Sequence, residues 1–206
     1  LTAMNELSNH DHSRFLTRTN HKTGRTGTLG PAAAEEGINK AVMREAVLLQ
    51  FTWIGAPTIY YGDEAGVCGF TDPDSRRTYP WGNEDKEMIA FHKKMIAIRK
   101  KYHEMKHGSI KVIKQGRGLI AFGRFDREGQ SAILINNTPE ERTEEFSFWE
   151  LGIKKNATIK QIMLTWEDGF DESVREYWLE NGRITLTLPA YSATIMRHAG
   201  DGELKF

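Results

Sequence analysis

The stretch Leu7-Ser8-Asn9-His10-Asp11 places an amide, an imidazole and a carboxylate side by side, after a run with apolar residues at Leu1, Met4 and Leu7. We read residues 1–11 as a strand that ends at this polar triplet. The C-terminal ends of strands are where (β/α)-barrel enzymes hold their active sites. A carboxylate there stabilises positive charge developing on a substrate, and an imidazole donates a hydrogen bond to a hydroxyl. The stretch therefore indicates a catalytic site, with an ordinary polar loop as the alternative.

Composition excludes several classes of function. The 206 residues include 28 Lys and Arg against 28 Asp and Glu, so the charge balance favours neither a nucleic acid nor a membrane surface as partner. No apolar run is long enough to span a bilayer, and the N-terminus shows no signal-peptide pattern. Cys68 is the one cysteine, which rules out an internal disulfide and favours a reducing, cytoplasmic location.

Residues 1–107 alternate between strand and helix patterns. A polar loop over 12–31 precedes a helix from about Ala33 to Ile54, whose apolar residues recur every three or four positions. The apolar run from Pro57 to Tyr61 then predicts a strand covered on both faces. A further loop, 66–83, leads to a second helix from Asn83 to about Lys106, with Asn83 as its cap. This order is typical of parallel barrel units.

After Gly108 the pattern changes to short runs rich in Ile, Val, Thr and Phe, separated by turn signals such as Asn181-Gly182. Such spacing predicts an antiparallel β-sandwich. We expect its tryptophans, Trp149, Trp166 and Trp178, to pack in the core, with a sugar-binding platform as the alternative. The predicted strands are 109–114, 119–125, 132–136, 158–164, 184–188 and 193–197.

Three motifs carry a family resemblance. They are Leu7-Ser8-Asn9-His10-Asp11 with Arg14-Phe15-Leu16, then Gly55-Ala56-Pro57-Thr58-Ile59-Tyr60-Tyr61-Gly62-Asp63-Glu64, and Asp72-Pro73-Asp74-Ser75-Arg76-Arg77 with Tyr79-Pro80-Trp81. In this order and spacing they resemble the α-amylase superfamily of glycoside hydrolases, and within it the neopullulanase and cyclomaltodextrinase branch. The resemblance covers residues 1 to about 105.

The resemblance implies an α/β plus all-β chain. Residues 1–107 would be the last strand–helix units of a (β/α)8 TIM barrel, beginning at its seventh strand, and residues 108–206 a C-terminal antiparallel β-sandwich. The partners implied are an α-glucan oligosaccharide substrate and an upstream portion of the same enzyme or an oligomeric partner. No cofactor and no metal is expected.

The resemblance also assigns roles to particular side chains. The family is retaining, and Asp11 matches the carboxylate that stabilises the transition state beside the nucleophile and the general acid. Neither of those two has a match in this chain, so we expect the chain alone to be inactive. The expected substrate-binding residues are Asn9, His10, Asp72 and Arg76. Independently of the resemblance, Arg14 lies close enough to Asp11 in the sequence to steady its carboxylate. Without the resemblance, Asp72 and Arg76 read as a surface ion pair.

The predicted function is therefore part of a hydrolase that cleaves α-glucosidic bonds in maltooligosaccharides, cyclodextrins or pullulan. Two other classes remain open. One is a non-catalytic glucan-binding or interaction module built on the sandwich. The other is a metal site formed by His10, Asp11 and His12 together with His21, since alternate residues of an extended segment point the same way.

Overall fold

The computed structural model describes residues 3–22 and 24–199, which divide into two compact units. The first unit runs to Phe51 and from Gly55 to Ile96, and the second takes Thr52–Ile54 and the chain from Ala97 onward. Leu1, which belongs to the predicted first strand, lies outside the described residues. Across the described ranges, no helix combines the length and the apolar character needed to cross a membrane.

Helices and long loops make up most of the chain before residue 108. In order, the elements are β1 Met4–Glu6, α1 Phe15–Arg18, α2 Thr26–Leu29, a 3₁₀ turn Pro31–Ala34, α3 Lys40–Thr52, β2 Ala56–Thr58, 3₁₀ turns Asp63–Ala65 and Asp74–Arg76, α4 Lys86–Lys101 and α5 His103–His107. The predicted loop 12–31 therefore contains two short helices.

Strands β1 and β2 pair in parallel, with Met4 opposite Ala56 and Glu6 opposite Thr58. The Gln50 side chain of α3 donates from Nε2 to the Asn5 and Thr58 carbonyls, at 3.0 and 2.8 Å, and so links both strands to the helix. The strands are shorter than predicted. Burial of β2 on both faces was also a wrong expectation, because Ala56 is exposed and Thr58 only half-buried.

Both long helices begin later than the apolar periodicity indicates. Helix α3 begins at Lys40 because Asn39 caps it, its Oδ1 accepting from the amides of Ala41 and Val42 at 2.9 and 3.1 Å. Helix α4 begins at Lys86, and its cap is Asp85, whose carboxylate accepts from Met88 N at 3.0 Å. The prediction of Asn83 as the cap was wrong.

The chain from residue 108 onward is antiparallel β structure. Its strands are β3 Ser109–Gly116, β4 Leu119–Phe125, β5 Gly129–Asn136, β6 Arg142–Ser147, β7 Ala157–Trp166, β8 Gly169–Asp171, β9 Arg175–Leu179, β10 Arg183–Leu188 and β11 Ser192–Ala199, with a 3₁₀ turn Trp149–Leu151 after β6. The large sheet has the order β3-β4-β5-β11-β7-β8, with β9 also paired to β7, and β6 and β10 form a separate pair. All six predicted strands are present.

An apolar core lies between these two sheets. Leu134 of β5 and Ile159 of β7 belong to the same buried cluster as Phe146 of β6 and Leu188 of β10. Side chains from two stacked sheets therefore meet in one layer, which is the sandwich arrangement that the strand spacing predicts. The chain beyond residue 108 matches its expected architecture.

Candidate functional site

The loop after β1 is shaped by the side chain of Asn9. Its Oδ1 accepts hydrogen bonds from the amides of Asp11 and His12, each at 3.0 Å, and its Nδ2 donates to Glu6 Oε1 at 2.9 Å. Asparagine commonly closes turns in this way, by replacing a backbone acceptor with its own amide oxygen. Asn9 therefore fixes the backbone that presents His10 and Asp11.

Four of the predicted site residues converge at this loop. The Asp11 carboxylate lies 3.3 Å from His10 Nε2 and 3.9 Å from Arg76 Nη2. Arg76 in turn pairs through Nε with Asp72 Oδ1 at 2.5 Å. The side chains stay accessible, with exposed fractions of 66% for Asp11, 60% for His10, 51% for Asp72 and 49% for Arg76. We call these four residues the Asp11 cluster.

Arg14 lies beneath the Asp11 cluster and is fully buried. Its guanidinium donates to the carbonyl oxygens of Tyr61 and Ser75, at 2.6 and 2.8 Å, and meets Asp63 Oδ1 at 3.2 Å. The Tyr60 ring covers it, with its centroid 4.1 Å from Cζ. Arg14 therefore joins the second motif, through Tyr61 and Asp63, to the third motif, through Ser75.

The structure pairs Arg14 with Asp63, whereas its spacing from Asp11 predicts a direct contact between those two. The physical reason is that the Arg14 side chain is fully buried, as Asp63 nearly is, whereas the Asp11 side chain is 66% exposed. Its influence on the site passes through Ser75, which binds Arg14 through its carbonyl and donates from Oγ to His10 O at 2.9 Å. Ser75 also precedes Arg76 in the chain.

Ser75 is the site residue that sequence reasoning missed. It is fully buried and links the two loops of the Asp11 cluster. Loop serines are common and usually solvated, so its position inside the third motif was the only available signal. The adjacent arginine also has a supporting role: Arg77 is less exposed than Arg76, and it binds Asp74 and Glu35 at 2.9 and 2.8 Å.

Asp63 and Glu64 make contacts that hold their own loop. Burial raises the pKa of Asp63 to about 6, against the lowering effect of hydrogen bonds from Ser8 and Arg14. Glu64 accepts from Gly62 N at 2.9 Å and so closes its own turn. Asp63 therefore contacts side chains, those of Ser8 and Arg14, whereas Glu64 binds the backbone of Gly62.

An aromatic pair lies on the loop over 66–83, which also carries Asp72 and Arg76. The Tyr79 and Trp81 rings have centroids 4.5 Å apart and are tilted by 49°, and Trp81 is 80% exposed. An exposed indole offers a flat apolar face of the kind that covers a pyranose ring. The loop over 66–83 therefore carries both the charged and the aromatic groups that its composition predicts.

The metal-site alternative has no support in the geometry. Among residues 3–22 and 24–199, no three His, Cys, Asp or Glu side chains lie in a group that could hold a metal ion. The ligands suggested for that site, His10, Asp11, His12 and His21, all fall within these ranges.

Curated proteins match this chain over most of its length. It is 32% identical to an amylopullulanase of Thermoanaerobacterium thermosulfurigenes over 98% of the chain, and 32% identical to neopullulanase 2 of Thermoactinomyces vulgaris over 93%. A cyclomaltodextrinase of Thermoanaerobacter pseudethanolicus is 36% identical over 65% of the chain. The chain spans 11%, 28% and 20% of the lengths of these three relatives. No protein-family model matches it.

Solved structures give the same indication. A debranching enzyme from Nostoc punctiforme superposes on 95% of the chain with a TM-score of 0.67 and 30% identity, the match covering 35% of that enzyme. An α-amylase from Geobacillus thermoleovorans shares the fold, with a TM-score of 0.74 over 95% of this chain and 38% of its own, at 22% identity. The chain is therefore a homologue, over nearly its whole length, of glycoside hydrolases of the α-amylase family.

Proposed function

We propose that this chain provides the transition-state-stabilising carboxylate and part of the sugar-binding surface of a retaining glycoside hydrolase. Its substrates would be the α-glucosidic bonds of maltooligosaccharides, cyclodextrins or pullulan. In this proposal Asp11 is the catalytic carboxylate, and Asn9, His10, Asp72 and Arg76 bind substrate. Arg14 is a positioning residue beneath them.

One observation carries the proposal. Two loops, far apart in the sequence, bring Asp11, His10, Arg76 and Asp72 into a chain of contacts between 2.5 and 3.9 Å long, while leaving each side chain about half exposed or more. Exposed charges paired in this way add little to stability. Their convergence is better explained by a polyhydroxyl ligand that accepts and donates hydrogen bonds to all four groups.

The chemistry of each group follows from its charge. Glycoside cleavage passes through a transition state with oxocarbenium character, so a fixed carboxylate beside the sugar favours it over the ground state. Asp11 has this position in the proposal, with Arg76 3.9 Å away to orient it. His10 and Asp72 bond sugar hydroxyls. We assign nucleophile and general acid to no residue of this chain.

We further propose that residues 1–107 are strand–helix units of a (β/α)8 barrel, and residues 108–206 its C-terminal sandwich. The support is the parallel pairing of β1 and β2 across helix α3. Two strands cannot close a barrel. The enzyme would therefore need further strands, from an upstream portion of the same polypeptide or an oligomeric partner. The lone, buried Cys68 favours a cytoplasmic enzyme.

The test begins with the intact mass of the native protein that carries this sequence, followed by an assay on cyclodextrin, pullulan and starch. Asp11→Asn keeps the size of the side chain and removes its charge. We expect kcat to fall at least about a hundredfold, the effect of losing one electrostatic contact with a transition state. The fold should be unchanged, because Asp11 is exposed.

The matched control is Asp168→Asn, an exposed carboxylate in the turn between β7 and β8. The change keeps the size of the side chain, and Asn and Asp are both common in turns. Turnover by this variant should equal that of the unaltered protein. Full activity in the Asp11→Asn variant would refute the catalytic role of Asp11.

A second candidate is a glucan-binding module without catalysis. The exposed Trp81 ring, stacked beside the half-buried Tyr79, favours it, since such a platform binds sugar whether or not a reaction follows. Under this alternative the native protein binds maltooligosaccharides and releases no reducing ends from any of the three substrates.

A further inference from the structure

Two tryptophans of the sandwich are exposed, although core packing is the ordinary place for them. Trp149, in the 3₁₀ turn after β6, is 43% exposed, and Trp178, on β9, is 62% exposed. The expectation that they pack in the core is therefore wrong. Both line a groove of about 640 Å³ on the second unit, within the size range of small-molecule sites. We call it the Trp149–Trp178 groove.

The Trp149 indole is fixed in place before any ligand arrives. Its Nε1 donates to Asn181 O at 2.5 Å, and the Arg183 guanidinium lies 5.0 Å from the ring centroid. Gly182 has φ +68°, and a Cβ there would meet Trp149 Cδ1 at 2.6 Å. The β9–β10 turn can approach the indole only because residue 182 is glycine. A rigid aromatic surface costs little conformational entropy on binding.

The polar groups of the groove suit a neutral ligand with many hydroxyls. Arg183 Nη1 pairs with Glu145 Oε1 at 2.8 Å, and Glu180 and Thr185 complete the polar lining. The charges of both signs leave no strong field that would select a polyanion. Indole faces cover the apolar side of a pyranose ring, while carboxylate and guanidinium groups bond its rim hydroxyls.

We propose that the Trp149–Trp178 groove is a second binding site for α-glucan chains, formed by residues of the second unit alone. The choice of α-glucan rests on the proposed function. The site itself rests on the two exposed indoles and their fixed surroundings. Such a site would hold a long substrate by its non-reacting part and would matter little for short ones.

The experiment is a titration of the 206-residue chain with maltoheptaose, followed by calorimetry and by the indole N–H signals of its five tryptophans. The starting protein carries Arg76→Ala, which removes one of the sugar-binding contacts proposed for the Asp11 cluster. We expect the Trp149 and Trp178 signals to shift on titration and the Trp166 signal to stay in place. Cellohexaose, with its β-linkages, serves as the ligand control.

Variants locate the binding. In the same background, Trp178→Ala should weaken the Kd about three- to tenfold, as expected for the loss of one aromatic contact. Val174→Ala is the matched control, because Val174 is an apolar side chain of the same unit and is 59% exposed. Its Kd should be unchanged.

Two results would overturn the proposal. One is the absence of shifts at Trp149 and Trp178 with maltoheptaose. The other is concentration-dependent dimerisation that Trp178→Ala abolishes, which would assign the groove to a second copy of the chain. The proposed function is judged separately, because turnover by the native protein depends on Asp11 and is not measured in this titration.

Discussion

Each unit buries apolar side chains and an arginine, such as Arg14 in the first and Arg124 in the second, and the two units differ in the contacts that support their exposed groups. In the first, a buried arginine joins distant loops: Arg14 satisfies the carbonyls of Tyr61 and Ser75 and meets Asp63. In the second, the central cluster is apolar, with Leu134, Phe148 and their neighbours packed between two sheets.

The difference accounts for where each unit holds its exposed groups. A loop whose backbone is held by hydrogen bonds to buried side chains can present carboxylates at the surface in a fixed arrangement. The loop that carries Asp11 is held in this way, through Ser75 and Arg14. A sandwich with an apolar core holds its strands without using surface groups. Exposed aromatics such as Trp178 then remain available for binding. Four predictions test this contrast, in order of decreasing effect.

The largest effect is expected from Arg14→Met. The substitution leaves Asp63 as a buried carboxylate without its partner and two carbonyls without donors, which costs about 3–5 kcal/mol. Amide hydrogen exchange, read in each unit, should show lost protection in the first unit and native protection in β5. Arg25→Met, at an exposed arginine, is the control. Equal loss of protection in both units would contradict the contrast.

The complementary change is Leu134→Ala in β5, a fully buried position of the sandwich core. Loss of the side chain and the cavity it leaves should cost about 2–5 kcal/mol. Exchange protection should fall in the second unit and persist around Gln50 in α3. The same measurement on Val174→Ala, where the side chain is largely exposed, should show a change within about 0.5 kcal/mol.

The strands that sequence analysis missed show why the sandwich was only partly predictable. Residues Arg142–Ser147 and Arg175–Leu179 carry charged side chains at most of their exposed positions, so they read as loop. Their antiparallel pairing with β10 and β7 stabilises them as strands, although their own sequence pattern does not indicate a strand. Tertiary contacts determine such edge strands, and a single sequence does not display them.

At the proposed site, the motifs single out the four residues of the Asp11 cluster and the Asp72–Arg76 ion pair, whereas the partner of Arg14 was not predictable. Asp11, His10, Asp72 and Arg76 followed from motifs, and the structure brings them together. The partner of Arg14 depends on which side chains are buried with it. That is a property of the packed chain, and residue spacing carries no information about it.

A third prediction compares the two candidate caps of α4. Asp85→Ala removes the acceptor for Met88 N and the 2.6 Å ion pair with Lys40, and should cost about 0.5–2 kcal/mol. Asn83→Ala should change the free energy of unfolding by less than about 0.5 kcal/mol. Urea denaturation measures both. If Asn83→Ala lowered the free energy of unfolding more than Asp85→Ala does, Asn83 would be the cap, and α4 would begin earlier, as the sequence predicts.

The smallest effect is expected at an exposed pair of the Asp11 cluster. Asp72 and Arg76 are each about half exposed, so their ion pair should contribute only about 0.2–1 kcal/mol to folding. A double-mutant cycle with Asp72→Asn and Arg76→Gln isolates this coupling from the cost of each single change. The buried pair of Arg14 and Asp63, measured in the same way, should show a clearly larger coupling.

That comparison also separates a role in folding from a role in binding. If the coupling of Asp72 and Arg76 in urea denaturation exceeds that of the buried pair, the cluster is part of the scaffold, and its exposure to substrate loses its significance. If the coupling is small while each single change weakens maltoheptaose binding, the pair contributes to ligand recognition. The two side chains then contribute to the free energy of binding and not to that of folding, because their exposure lets a sugar hydroxyl reach both of them.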